Sequence, residues 1–418
     1  MSRSSQGSVL WAAALLLALA SNAAAATAPP LPPAPPVIPS PYIVVDIGAG
    51  TVLAERSADA VRYPASLTKL MTAYLAFEAL AAGRLKLTSP VVESATALAE
   101  PPSKMGFAVG TVYTVDNALK MLIVKSANDV AVALGEAIAG SKPAFVVAMN
   151  DAARRLGMSQ SHFENPNGLH DEGHVTTARD MAVLAARIWK DFPQYRDLFG
   201  IPAIRSGKQV LRSENPLLER YEGADGMKTG YTCAAGFNLV ATATRGDRTL
   251  LVVVMAESSS RARAQLAVNL LDQGFNTGTQ VRATSLKDFR SPSGFSGPVD
   301  LHDMVCKRHA PIEGAPGPGD PWPLGPPLRT AEPVKVFTGG ADGESGRDPA
   351  PVKAAVAAGI PSKKDAGGAV APPAKAVAAA TSAGGGAPVP RPKPAPPTPA
   401  AGGARGATPD ASKSGPKD

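Results

Sequence analysis

The chain has 418 residues and a formal charge of +7, with 42 Lys and Arg against 35 Asp and Glu. Its 40 glycines and 41 prolines are unevenly spread. Residues 310–418 hold 22 Pro, 18 Gly and 25 Ala but only two aromatics, Trp322 and Phe337, a composition that excludes a second ordinary globular domain there. That stretch also carries 12 basic against 9 acidic residues, or +3 of the total. With no run of five like charges elsewhere, the pattern does not point to nucleic-acid binding.

Arg3 precedes the unbroken apolar run Val9 to Ala20, which is followed by small residues to Ala26. This is the pattern of a secretory signal over residues 1–26, too short to span a bilayer comfortably. Residues 27–41 hold eight prolines and are expected to form an extended lead-in. Export would place Cys233 and Cys306 where a disulfide survives, and a bond between them would tie a late segment beside the strand before Cys233. The spacing of His170 and His174 suits a metal only on a helix. Asn165, Pro166, Gly168 and Gly173 make this stretch a loop, so no metal site is expected.

A single catalytic domain is expected over 42–280. It opens with a hairpin, Tyr42 to Asp46 and Thr51 to Glu55, around a Gly-rich turn. A helix starts at Pro64 with Leu67, Leu70, Met71, Tyr74 and Leu75 on one stripe. Helices follow over Val115 to Val124, from Asn128 to Ala139, and over Thr177 to Lys190. Strands Phe237 to Thr244 and Thr249 to Met255 flank an Arg-Gly-Asp turn, and a helix over Arg261 to Phe275 closes the domain. Strands at both ends of the domain with helices between them imply an α+β fold with one antiparallel sheet. Residues 281–309 read as an ambiguous appended segment, and 310–418 as a disordered tail.

Three short patterns carry chemistry. Ser66-Leu67-Thr68-Lys69 puts a hydroxyl and an amine one helical turn apart, where a desolvated lysine can take the serine proton. Ser126-Ala127-Asn128 sits at a break between two helices. Lys228-Thr229-Gly230 opens a strand, with a lysine and hydroxyl suited to a carboxylate and a glycine that admits a ligand backbone. Each recurs cheaply: Ser414 to Lys417 matches the first pattern and Ser213-Glu214-Asn215 the second. Their joint order is the set associated with penicillin-binding proteins and β-lactamases, with Ala127 where the middle residue is often Asp.

The residues around these motifs extend the likeness. Tyr63 to Tyr74, Asn165 to His170, Thr176 to Asp180 and Gly223 to Thr232 together resemble a serine-type D-alanyl-D-alanine carboxypeptidase, a low-molecular-mass penicillin-binding protein. The resemblance covers about Tyr42 to Phe275. It implies the penicillin-recognising serine hydrolase fold, β-lactamase/transpeptidase-like, with an antiparallel sheet flanked by helices plus a helical subdomain. It also implies that Ser66 is the nucleophile, Lys69 the general base and Ser126 a proton relay. Asn128 would hold the substrate backbone, and Lys228, Thr229 and Gly230 the strand side. The N–H groups of Ser66 and Tyr231 would form the oxyanion hole. Arg263, favoured over Arg261, would bind the terminal carboxylate. No cofactor is implied. The expected partners are a peptidoglycan stem peptide and β-lactam inhibitors, with an exported, periplasmic or envelope location.

Members with a β-rich second domain and a terminal amphipathic helix differ from this chain. Its last residues, Ser412 to Asp418, have no apolar face, so membrane anchoring is not evident, and the tail is expected either to touch the anionic cell wall weakly or to be a passive solvated chain. Within hydrolases, a DD-endopeptidase and a β-lactamase are alternatives, but an E-x-x-L-N deacylation pattern is missing, since Pro166, Asn167 and Gly168 follow Glu164-Asn165. A non-catalytic envelope-binding protein of the same fold is the alternative from another class.

Overall fold

The computed structural model describes residues 39–277, 284–291, 297–307, 324–328 and 330–339. The expected signal, most of the lead-in and most of the tail lie outside the described residues.

The chain begins with β1 (Tyr42–Asp46) and β2 (Thr51–Arg56), paired antiparallel about the Gly48–Gly50 turn. A four-residue 3-10 turn, Ala65–Thr68, then leads into α1 (Lys69–Ala81). The predicted stripe is buried there, but so are Ala73, Ala76 and Phe77, so α1 is a central helix rather than an amphipathic one. β3 (Pro90–Val92), α2 (Ala95–Leu98), β4 (Val112–Thr114) and α3 (Val115–Lys120) come next. The helix expected to run to Val124 changes after Lys120 into a π-type turn, Met121–Lys125. That turn ends in a left-handed Ser126, with φ 60° and ψ 36°. α4 (Asn128–Ala139) starts two residues later.

α5 (Lys142–Leu156) was not expected. Its signals are nevertheless local: Ser141 accepts a cap bond from Ala144, Pro143 sits in the first turn, and Phe145, Met149, Ala152 and Ala153 make the buried face. α6 (Ala178–Asp191) is capped by Thr177. A hairpin of β5 (Ala203–Ser206) and β6 (Gln209–Arg212) and the short α7 (Leu217–Arg220) precede the main strands. These are β7 (Ala224–Thr232), β8 (Gly236–Arg245) and β9 (Arg248–Glu257), followed by α8 (Ser260–Asn276).

The main sheet has the order β2-β1-β9-β8-β7, antiparallel throughout, so the first and last strands of the domain do meet. Its two faces follow the period-two rule. Ile43, Val45, Leu251 and Val253 face the large core that includes α1, α4 and α6, whereas Val44, Leu250, Val252 and Val254 pack with Ala264, Ala267 and Leu271 of α8.

Two sequence expectations need correction. The ambiguous segment 281–309 is not one appended unit, because its described parts dock at separate places. Ser285 bridges Thr51 and Ser291 bonds Glu55 and Asp59, while Leu301 donates to the Ala234 carbonyl. Cys306 is bonded to Cys233. Part of the expected disordered tail is β10 (Val334–Val336), parallel to β5, with Val336 buried in the main core. Alternation in Val334-Lys335-Val336 supplies one apolar edge, and averaging over a Pro/Ala/Gly-rich stretch hid it.

Candidate active site

The 3-10 turn places Ser66 at the foot of α1, facing the edge strand β7 on one side and the start of α4 on the other. Ser66, Ser126, Asn128, Thr229, Gly230 and Tyr231 all line one cleft of about 210 Å³. Lys69 and Lys228 are buried behind that lining, at 0% and 3% exposure. The three motifs, far apart in the chain, therefore converge.

Lys69 is held by three oxygens. Its Nζ is 2.9 Å from Ser66 Oγ, 2.7 Å from Asn128 Oδ1 and 2.6 Å from the carbonyl of Asn167. Burial pushes its pKa well below the usual lysine range, and the Lys228 ammonium pushes it further. A neutral amine has two hydrogens and one lone pair. Asn128 Oδ1 and Asn167 O can only accept, so they take both hydrogens and leave the lone pair for the Ser66 hydroxyl. The surroundings thus choose which partner of Lys69 gives up a proton.

The Asn167 carbonyl carries no sequence signature and was not foreseen. Its loop is tied down by Thr72 Oγ1, which donates to Pro166 O at 2.6 Å, and by Asn167 Nδ2, which donates to Glu100 Oε2 at 2.9 Å. Gly168 has φ +86°, and a Cβ there would collide with the carbonyl of Ala65. His174 is part of the same brace. The Glu164 N–H donates to Nδ1, so Nε2 carries the hydrogen and donates to Thr68 Oγ1 at 2.9 Å. Burial lowers its pKa to about 3, and the neutral ring fastens the loop to the 3-10 turn that carries Ser66. His170 instead packs edge-on against Tyr63.

Asn128 is tied at both ends of its carboxamide. Its Oδ1 accepts from Lys69 while Nδ2 donates to Pro101 O at 2.9 Å, so the carboxamide is anchored within the protein. One Nδ2 hydrogen is left for a substrate carbonyl. Gly230 serves the protein first as well. A Cβ there would stand 2.8 Å from Pro64 O and 3.1 Å from Ser66 N, so only glycine lets β7 lie against the turn that carries Ser66.

On the strand side, Lys228 Nζ donates to Thr229 O at 3.0 Å, and burial lowers its pKa to about 8. Arg263 is buried in α8 and bonds the carbonyls of Asn238 and Glu214, both at 3.2 Å. Its Nε has no partner, and burial lowers its pKa to about 10. It lines a neighbouring cavity of about 460 Å³ that shares Glu214 and Tyr231 with the cleft. Asn238 joins these parts. Its Nδ2 donates to the carbonyls of Tyr63 and Pro64 at 2.9 and 3.0 Å, and its Oδ1 accepts from Ala256 N.

Glu214 is the functional candidate that sequence reasoning missed. It is the middle residue of the second S-x-N tripeptide, and its carboxylate is the foremost charge opposing the lowered pKa values of Lys69, Lys228 and Arg263. At the mouth of the cleft, Tyr231 stacks on Phe237 with ring centroids 4.4 Å apart. Its hydroxyl lies 3.2 Å from Cys306 Sγ, so the disulfide buttresses the cleft wall.

Residues 30–259 match the peptidase S11 family described as D-alanyl-D-alanine carboxypeptidase. The chain is 38% identical over 241 residues to D-alanyl-D-alanine carboxypeptidase DacC of Escherichia coli strain K12, an alignment covering 56% of this chain and 60% of that protein. It is 37% identical over 239 residues to DacA of Haemophilus influenzae, covering 56% and 61%. The chain thus spans about three-fifths of the length of these relatives. Among solved structures it is similar to penicillin binding protein 5 from Haemophilus influenzae, with TM-score 0.55, 35% identity, and 58% and 72% of the two chains covered. It is also similar to penicillin-binding protein D2 from Listeria monocytogenes in its cefotaxime-bound form, with TM-score 0.52, 29% identity, and 56% and 96% covered. With the matched stretch running through all but the end of the catalytic domain, the chain belongs to the S11 peptidase family of D-alanyl-D-alanine carboxypeptidases.

Proposed function

We propose that this protein hydrolyses the terminal D-alanyl-D-alanine bond of peptidoglycan stem peptides through a serine acyl-enzyme, and that penicillins acylate the same serine. The observation that carries the reading is the Lys69 environment: a fully buried Nζ 2.9 Å from Ser66 Oγ, with Asn128 Oδ1 and the Asn167 carbonyl as its other two partners.

In this mechanism the Ser66 hydroxyl proton passes to Lys69 Nζ as Oγ attacks the carbonyl of the penultimate D-alanine. The N–H groups of Ser66 and Tyr231 stabilise the resulting oxyanion. Lys228, Thr229 and Arg263 hold the terminal carboxylate, and Asn128 Nδ2 holds the peptide backbone. On collapse of the tetrahedral adduct the C–N bond breaks, and the leaving amine takes the proton that Lys69 returns through the Ser126 hydroxyl, which leaves Lys69 neutral again. Free D-alanine departs and an ester remains on Ser66. Water then attacks the ester, giving its proton to neutral Lys69, and Ser66 is regenerated with a shortened peptide acid. An envelope location follows from this substrate class and from the signal pattern in residues 1–26.

The test is Ser66→Ala. The variant should keep the wild-type circular-dichroism spectrum while losing both covalent labelling by a fluorescent penicillin and release of D-alanine from a pentapeptide. Undiminished labelling would assign the nucleophile elsewhere.

A further inference from the structure

A second cavity, of about 710 Å³, lies at the opposite corner of the sheet from the cleft. The register fixes this placement. Lys228 and Thr229 pair with Val240 and Leu239, and Leu239 lies level with Val254 and Tyr42 at the start of β1. The second cavity instead abuts the far end of β1, at Ala49 and Gly50, three strands away from β7 in the sheet order.

Its rim is cationic well beyond what the fold requires. Four of its arginines are matched by carboxylates: Arg154 by Asp151, Arg155 by Glu78, Arg179 by Asp180 and Arg187 by Asp191. Arg154 and Arg155 also close α5, where positive side chains complement the helix dipole. Three further cations have no carboxylate partner among the described residues. Lys190 reaches from α6 over the β1–β2 turn, its Nζ 3.5 Å from where a Cβ of Gly50 would stand. Lys287 and Arg290 come from the docked segment around Ser285, where Arg290 bonds only the carbonyls of Lys287 and Phe289. Asp288 in the same turn is not part of the lining. Beneath the cations the floor is apolar, with Val45, Ile47, Val183 and Leu286.

Three uncompensated cations from two separate segments, converging over an apolar floor, match a compact multiply charged head joined to an apolar body. We propose that this cavity binds a phosphate ester, with the phosphate held by Lys190, Lys287 and Arg290 and the attached carbon chain lying on Val183 and Leu286. Either a lipid headgroup or a soluble phosphate ester presents this chemistry. The inference is independent of the acyl-transfer reading, because none of these residues lines the catalytic cleft.

The test uses the full chain and a Lys190→Gln, Lys287→Gln, Arg290→Gln triple variant, all exposed positions. Each is sedimented with vesicles of phosphatidylcholine alone or with one quarter phosphatidylglycerol, and titrated with glycerol phosphate in solution. Penicillin labelling and Tm, unchanged in the triple variant, establish that it is folded. Wild-type binding that requires phosphatidylglycerol and falls roughly tenfold or more in the triple variant supports the site with a lipid as its source. Binding of glycerol phosphate without vesicle binding, lost in the variant, supports a soluble phosphate ester. No wild-type binding to either probe, or equal binding by the variant, overturns the proposal.

Discussion

The two walls of the cleft each bury a lysine, and their surroundings drive those lysines to different protonation states. Both lose hydration, which lowers both pKa values. Lys69, at the foot of α1, faces the Lys228 ammonium, and desolvation together with that charge holds it well below the usual lysine range. Lys228, on β7, has the Glu214 carboxylate as its main counterweight and settles near 8, largely protonated at neutral pH. On the proposed mechanism, one residue type thus serves as a base on one wall and as a cation on the other. Burial is the largest cause in both, and the neighbouring charges then adjust it, the Lys228 ammonium lowering Lys69 and the Glu214 carboxylate raising Lys228.

The largest effect expected from breaking this arrangement is at Lys69. Lys69→Arg keeps a cation and cannot deprotonate, so acylation by penicillin in stopped-flow or gel labelling should fall by roughly a hundredfold to ten-thousandfold. A rate within a few-fold of wild type would place the base elsewhere. Exchanging the cation on the other wall should affect binding first. Lys228→Ala should lower kcat/KM for a carboxylate-terminated peptide by roughly thirtyfold or more while leaving a C-terminal amide analogue little changed. In the wild type the same kcat/KM should decline above about pH 8, as Lys228 loses its proton. An equal loss for acid and amide substrates would remove Lys228 from carboxylate binding.

The smallest of these effects, and the sharpest for the comparison, is electrostatic. Glu214 raises the Lys69 pKa and Lys228 lowers it. Glu214→Gln should therefore move the acid limb of the acylation profile to lower pH, and Lys228→Ala should move it to higher pH. Shifts in the same direction would mean that these charges do not act on Lys69 as the geometry requires.

Much of this was readable in the sequence, for identifiable reasons. Ser66 and Lys69 lie three residues apart at a helix start, a spacing that puts them in contact whatever the rest of the fold does. The terminal strands were legible from β-branched runs, and their antiparallel meeting from chain order. What escaped has a common cause, since it depends on backbone or on distant segments. The Asn167 carbonyl has no residue type to announce it. Asn128 lines the cleft as the motif implies, but its anchoring by Pro101 and Lys69 comes from distant segments. Glu214 sits in a chance match to S-x-N, yet the fold brings it to the cleft. Gly230 lines the cleft, and the fold also needs it where β7 passes the Pro64 carbonyl. By contrast, α5 and β10 left local signals, a Ser-Pro helix start and a Val-Lys-Val alternation, which composition averages concealed.

The central claim is that Lys69 is a free amine poised on Ser66 at neutral pH. The most direct measurement is the acylation rate constant of the wild-type protein with a fluorescent penicillin across the pH range in which it stays folded. The account predicts a rate already near its plateau at neutral pH, falling only as acid protonates Lys69 at a pKa well below the usual lysine value near 10.5. A rate that climbs tenfold per pH unit from neutrality toward 10.5 would show Lys69 to be an ordinary ammonium and would contradict it.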